Sequence, residues 1–119
     1  MATVNYTLGT DINVALQKAT WSNMANGDVG QALHASEFSD RSVQVKGTFG
    51  TGGTMQLKGS NDGGTTWNVL RDPFGTNVSA SGGNLIQLTE LAEYVRPEIV
   101  AGDGTTSITV IVYMRKQPD

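Results

Sequence analysis

Ser60, Asp62, Gly64, Thr66 and Trp67 fall at the spacing S-x-D-x-G-x-T-W within the stretch SNDGGTTW. A carboxylate, hydroxyls and an indole this close together could attack a sugar or stack on one. They could equally hold a turn. The Asp62 carboxylate can accept backbone N–H bonds across the turn, and Gly63 and Gly64 can take positive φ without a Cβ clash. Trp67 can then fold its indole into the core beneath. Each residue of the pattern has a structural task, and none is a catalytic group in its own right.

Other chemistry finds little support. His34 is the lone histidine, and its surroundings, QALHASE, offer only Glu37 nearby, so a surface or loop histidine is expected rather than a triad member or metal ligand. Asp28, Asp40, Asp62, Asp72 and Asp103 all stand beside Gly, Ser, Asn or Pro. Aspartates in such settings usually bond local backbone. No D-x-D-x-D-G run marks a calcium loop, and GTGGT lacks the Lys-Ser/Thr ending of a phosphate loop. There is no cysteine, hence no disulfide or thiolate chemistry. The expectation is a protein without catalytic residues, metal or cofactor. Tyr6, Trp21, Trp67, Tyr94 and Tyr113 could stack on sugars if exposed, but core or interface packing is expected for both tryptophans.

The elements that must position these residues read as strands. In TMQLKGS, Met55 and Leu57 face one way and Gln56 and Lys58 the other; after the turn, Trp67 and Val69 share a face. Alternation on both sides of a Gly-rich turn predicts a hairpin. RSVQVKGTFG turns Val43, Val45 and Phe49 inward, NLIQL reads as a short strand, and INVALQKATW holds the first clear one. YVRPEIV and SITVIVYMR flank AGDGTT and predict a second hairpin, with Pro97 placing its strand at an edge or bulge. In the last strand Ile108, Val110, Val112 and Met114 share a face, while Ile111 and Tyr113 lie opposite. Cover by a partner is the favoured reading of that second face. TELAEY could form a helical turn capped by Thr89.

Residues 1–12 read as an extended arm, with Val4, Tyr6 and Leu8 spaced two apart, and residues 13–119 as the folded domain. A chain of 119 residues with 15 glycines and short strands predicts one all-β domain. The fold expected is a single antiparallel β-sandwich of about eight strands, jelly-roll-like. Charged residues make up 16% and the net charge is −3, which argues against nonspecific nucleic-acid binding. Neither a signal peptide nor an apolar run of about 20 residues is seen, so a soluble protein without membrane contact is expected.

The S-x-D-x-G-x-T-W pattern resembles the Asp-box of sialidases and related propeller proteins. A propeller needs several blades of roughly four strands each, whereas the motif occurs once here. The clustered arginines of a sialidase site are also missing, because Arg41, Arg71, Arg96 and Arg115 are spread along the chain. A second resemblance covers roughly Trp21 to Lys116. The succession DRSVQVKGTFG, MQLKGSNDGGTTWNVLRDPFG and YVRPEIVAGDGTTSITVIVYMRK resembles small all-β virion proteins of tailed bacteriophages, in particular head decoration or cement proteins. That resemblance implies a structural protein on the capsid exterior, assembled in the host cytoplasm. It also implies the major capsid protein as partner, self-association as a homotrimer, and no catalytic residues. Such a protein stabilises a shell by binding only the assembled lattice. Val4, Tyr6, Leu8, Ile111 and Tyr113 are the candidate interface residues. The alternative is a tail- or fibre-associated module that binds a glycan or receptor through exposed aromatics.

Overall fold

The computed structural model describes residues 2–9, 16–34, 38 and 40–115. These residues form twelve strands: β1 (Thr3–Val4), β2 (Tyr6–Leu8), β3 (Leu16–Met24), β4 (Val29–Gly30), β5 (Leu33–His34), β6 (Asp40–Thr48), β7 (Thr54–Ser60), β8 (Asn68–Val69), β9 (Ser79–Ala80), β10 (Asn84–Leu88), β11 (Tyr94–Ala101) and β12 (Ser107–Arg115). One sheet of seven strands runs β1-β4-β11-β7-β8, with β5 also on β11 and β9 also on β7. The other, of five strands, runs β10-β6-β12-β3-β2.

The two sheets pack as a sandwich because the period-two pattern gives each an apolar inner face. Met55 and Leu57 of β7, Val95 and Ile99 of β11, and Ile108, Val110, Val112 and Met114 of β12 are all buried. Trp21 of β3 is fully buried, and its Nε1 donates to the Gln31 carbonyl at 3.1 Å. The all-β sandwich is thus the observed class. The strand number rises above eight because β1, β4, β5, β8 and β9 are two-residue pieces.

The expected hairpin around 102–106 is instead an arch. β11 pairs with β7 in one sheet and β12 with β6 and β3 in the other, so the turn carries the chain across the sandwich. The β6–β7 connection makes the same crossing beside it. Asp103 binds the two arches together. Its carboxylate accepts from Thr51 N at 2.8 Å and from Thr105 N at 2.9 Å, and Thr106 Oγ1 donates to the Phe49 carbonyl at 2.8 Å. An Asp-Gly turn therefore names a reversal of direction, not the sheet in which the chain continues.

Pro97 lies inside a sheet rather than at its edge. It is opposite Leu57 of β7, whose own N–H and C=O bond to Val78 and Leu70 on the far side. On its other side β4 pairs at Glu98 and β5 at Tyr94 and Val95, so Pro97 faces the gap between these two short strands. No ladder donor is required there. The bulge of β11 comes later, between Ile99 and Ala101. Residues 89–93 are not helical. They cross between the sheets, with the Glu90 carbonyl accepting from Arg41 and the Glu90 carboxylate from Arg71 N.

Of the segment read as an extended arm, Thr3–Val4 and Tyr6–Leu8 are stitched into the two sheets. β1 runs parallel to β4, and β2 runs antiparallel to β3. Asp28 accepts from Ala2 N at 3.1 Å, and Gln31 N donates to the Val4 carbonyl at 2.8 Å. Tyr6 meets Trp21 edge-on at 5.6 Å. An alternating, uncharged segment beside an open strand edge finds its backbone partners on its own sandwich. Met1 and residues 10–12 of that segment lie outside the described residues.

Candidate functional site

The turn after β7 forms as its sequence requires. Asp62 Oδ1 accepts from Ser60 Oγ at 2.7 Å, Thr65 N at 3.1 Å and Thr66 N at 2.9 Å. Ser60 Oγ in turn accepts from Gly64 N at 3.0 Å, and Gly63 and Gly64 take φ of 77° and 92°. The Thr66 amide, foremost, and the Ser60 hydroxyl hold the Asp62 carboxyl down at about 2. This carboxylate is committed to the turn. β7 and β8 pair as the expected hairpin, Lys58 with Val69 and Gly59 with Asn68.

Trp67 does not enter the core. It is half-buried on the outer face of the seven-stranded sheet, its Nε1 donating to the Gly64 carbonyl at 2.9 Å. The Arg96 guanidinium lies 4.1 Å from the ring centroid. The side chain closes the turn from outside because Gly64, three residues earlier, holds its N–H. Trp21 fills the interior instead.

Around Trp67 the outer face of this sheet is charged and paired. Glu98 bridges Lys58 and Arg96, each at 3.0 Å. His34 packs on the Tyr94 ring at 5.1 Å between centroids; Glu37, its sequence neighbour, lies outside the described residues. Of the aspartates, Asp28, Asp62, Asp72 and Asp103 accept backbone N–H bonds, whereas Asp40 pairs with Arg115 in the neighbouring strand. Among the described residues no three His, Asp or Glu side chains gather as metal ligands would.

The five-stranded sheet presents a different outer face. Directly opposed residues on adjacent antiparallel strands share a face, so the register places Leu85, Gln44, Ile111, Thr20 and Thr7 in one row across all five strands. The next row runs Gln87, Ser42, Tyr113, Lys18. Leu85 is 68% exposed and Tyr113 45%, with Ile111 half-buried between its neighbours. Ile111 and Tyr113 are thus brought together on an open face, and β12 is also central in its sheet. Leu85 was missed by sequence reading; the alternation of NLIQL turns it opposite to Ile86 and Leu88, but only the register sets it beside Ile111.

The other candidate interface residues lie elsewhere. Val4 and Tyr6 are half-buried against the chain's own core, and Leu8 is exposed at the end of β2. A second feature without a sequence signal is Phe74, 92% exposed at the tip of a tight turn. Asp72 Oδ1 fixes that turn by accepting from Phe74 N at 2.9 Å and Thr76 N at 3.0 Å.

Arg41 falls on the inward side of β6, in phase with Val43 and Val45. It points inward from β6 and is 95% buried, at 5% exposure, and burial pushes its guanidinium below the ordinary value. Nη2 donates to the Glu90 carbonyl, while among the described residues Nε and Nη1 have no partner. The residue lines a depression of about 600 Å³ at the Arg115 end of the five-stranded sheet, together with Asp40, Ser42, Gln87, Tyr113 and Arg115.

No family model matches the chain, and no curated protein sequence matches it. Among solved structures, the SPBc2 prophage-derived protein YomS superposes with a TM-score of 0.61 at 15% identity, over 88% of this chain and 98% of that one. The cupin domain of Schizosaccharomyces pombe Cnp3 gives 0.48 at 5% identity, over 94% of this chain and 60% of that one. The likeness to the prophage-derived protein extends over nearly its whole length, so the sandwich described above is a fold that an entire protein of similar size adopts.

Proposed function

We propose that the chain is a structural component of a tailed-phage virion that binds the capsid shell and stabilises it, docking through the outer face of the five-stranded sheet. The carrying observation is the cluster of Leu85, Ile111 and Tyr113 in two adjacent rows, which presents apolar side chains on a sheet face that the described residues leave open. The rows hold Lys18 as their one charged side chain, so the complementary surface is apolar at its centre and neutral or acidic at its rim. Its fold likeness to a prophage-derived protein supports a phage setting.

In this reading the protein has no catalytic role, and its partners are the major capsid protein and sister copies arranged as a trimer around a closed axis. Binding only the assembled lattice draws the assembly equilibrium toward the shell. The test is to purify virions, separate heads from tails and count copies of the chain in each. Hundreds of copies on heads, lost when Leu85 and Ile111 are both changed to Asp, is the expected result. A few copies on tails would reject the capsid assignment in favour of a tail-associated role.

A further inference from the structure

The buried guanidinium of Arg41 has no structural explanation within the described residues. Nε carries one N–H and Nη1 two, and all are shielded from water without an acceptor. Buried donors left unmade are rare in folded proteins and costly, the more so on a charged group. A methionine or leucine would fill the same place at the end of the core more cheaply, since well-packed apolar residues often replace buried charges without loss. Retaining an arginine here makes sense if something supplies the missing acceptors.

The adjoining depression indicates what that is. Its charged lining consists of Asp40, Arg41 and Arg115. Asp40 and Arg115 neutralise each other in an ion pair at 2.5 Å. Among the described residues one positive charge is left over, that of Arg41, which matches a singly charged anion better than a phosphate dianion. Leu16, Leu88, Met114 and the Tyr113 ring supply apolar wall, and Ser42 and Gln87 supply further hydrogen-bonding groups. A carboxylate on an apolar stem fits this combination.

The geometry points to a binding site for such a carboxylate, with Arg41 as its anchor. One hydrogen bond, to the Glu90 carbonyl, holds the guanidinium in its present position, so a modest swing toward the depression brings its unmet donors to an entering anion. The carboxylate comes either from a free organic acid or from an acidic side chain of a docked protein. The site does not depend on the virion reading, and the free protein suffices to test it.

The experiment follows the Arg41 Nε–H resonance of the full chain while sodium hexanoate, a blocked glutamate peptide, inorganic phosphate or sodium chloride is added at matched ionic strength. A saturable shift with hexanoate or the peptide, several-fold weaker with phosphate and absent with chloride, is expected. Tighter binding of hexanoate identifies a free acid as the natural ligand; tighter binding of the peptide identifies a protein side chain. Arg41→Met should abolish the carboxylate-induced rise in melting temperature, and Arg41→Lys should weaken it about tenfold, because a lysine keeps the charge but not the planar fork. No saturable shift of the wild-type resonance with either carboxylate would overturn the proposal, whatever the variants do. Phosphate binding as tightly as the carboxylates would overturn it too.

Discussion

The two sheets are built from the same alternating strands, yet their outer faces solve different problems. On the seven-stranded sheet, Glu98 holds Lys58 and Arg96, and Arg96 covers Trp67. Lys58, Arg96 and Glu98 are partnered with one another, and Arg96 shields the aromatic ring. On the five-stranded sheet, Leu85, Ile111 and Tyr113 stand among threonine, serine, glutamine and the single charge of Lys18, and no described residue covers Leu85 or Tyr113. A face whose groups satisfy one another has little to gain from a partner. A patch of mostly uncharged polar residues around apolar ones loses little by desolvation and gains from burial. The second is the face suited to docking.

The comparison is broken most directly by placing charge on the open face. Leu85→Asp combined with Ile111→Asp should reduce attachment to capsids by roughly a hundredfold or more, the scale of removing central apolar anchors. Urea unfolding should show little change for Leu85→Asp alone, since that residue is exposed. Equal attachment by the double variant would move the docking surface elsewhere, with the Phe74 tip as the next place to look.

Trp67→Ala tests the closed face. A half-buried indole under one guanidinium predicts a loss of about 1–2 kcal/mol in urea unfolding, from partial burial and the cation–π contact. That is well short of the roughly 3–5 kcal/mol for emptying a fully buried aromatic site such as that of Trp21. Capsid attachment should not change. A loss of attachment with the fold intact would make the seven-stranded sheet the binding face.

Acid should open the closed face before the open one. The Asp62 carboxyl is held at about 2 in the folded chain against an ordinary 3.8. The unfolded state therefore takes up the proton first, and the stability this group gives is present above about 4 and lost as the pH falls toward 2. Asp103 is lowered in the same direction, chiefly by the Thr105 hydroxyl, so its hold on the arches is lost as the pH falls below the ordinary carboxylate range. Trp67 fluorescence followed from pH 5 to pH 2 should report the release of the turn, and Asp62→Asn should flatten the change over that interval. The smallest effect expected is that of Glu98→Gln, under about 1 kcal/mol by thermal unfolding, because ion pairs at a surface contribute little.

What could be read from the chain depended on how far its partners lie apart. The Asp62 turn was legible because its acceptors and donors fall within residues 60–67, where spacing alone dictates geometry. The inner faces of β7, β11 and β12 were legible because alternation is local. The side Trp67 would take was not, since either face of a strand accepts an indole until its neighbours are known. Nor was the arch at Asp103, whose partner Thr51 lies 52 residues away. Residues 2–8 alternate as a free strand would, and only an open edge of β3 and the amides at Val29 and Gln31 decide that they pair with their own sandwich.

The sequence by itself determined the all-β class, the turn chemistry of its aspartates and the apolar stripe of each long strand, because these rest on periods of two and on hydrogen bonds within a few residues. Only the tertiary structure decided which strands lie side by side. Register put Leu85 in line with Ile111, and strand pairing sent β11 and β12 to opposite sheets. Those outcomes are set by the packing of strands distant in the chain, where the burial of one face fixes a register that no local pattern encodes.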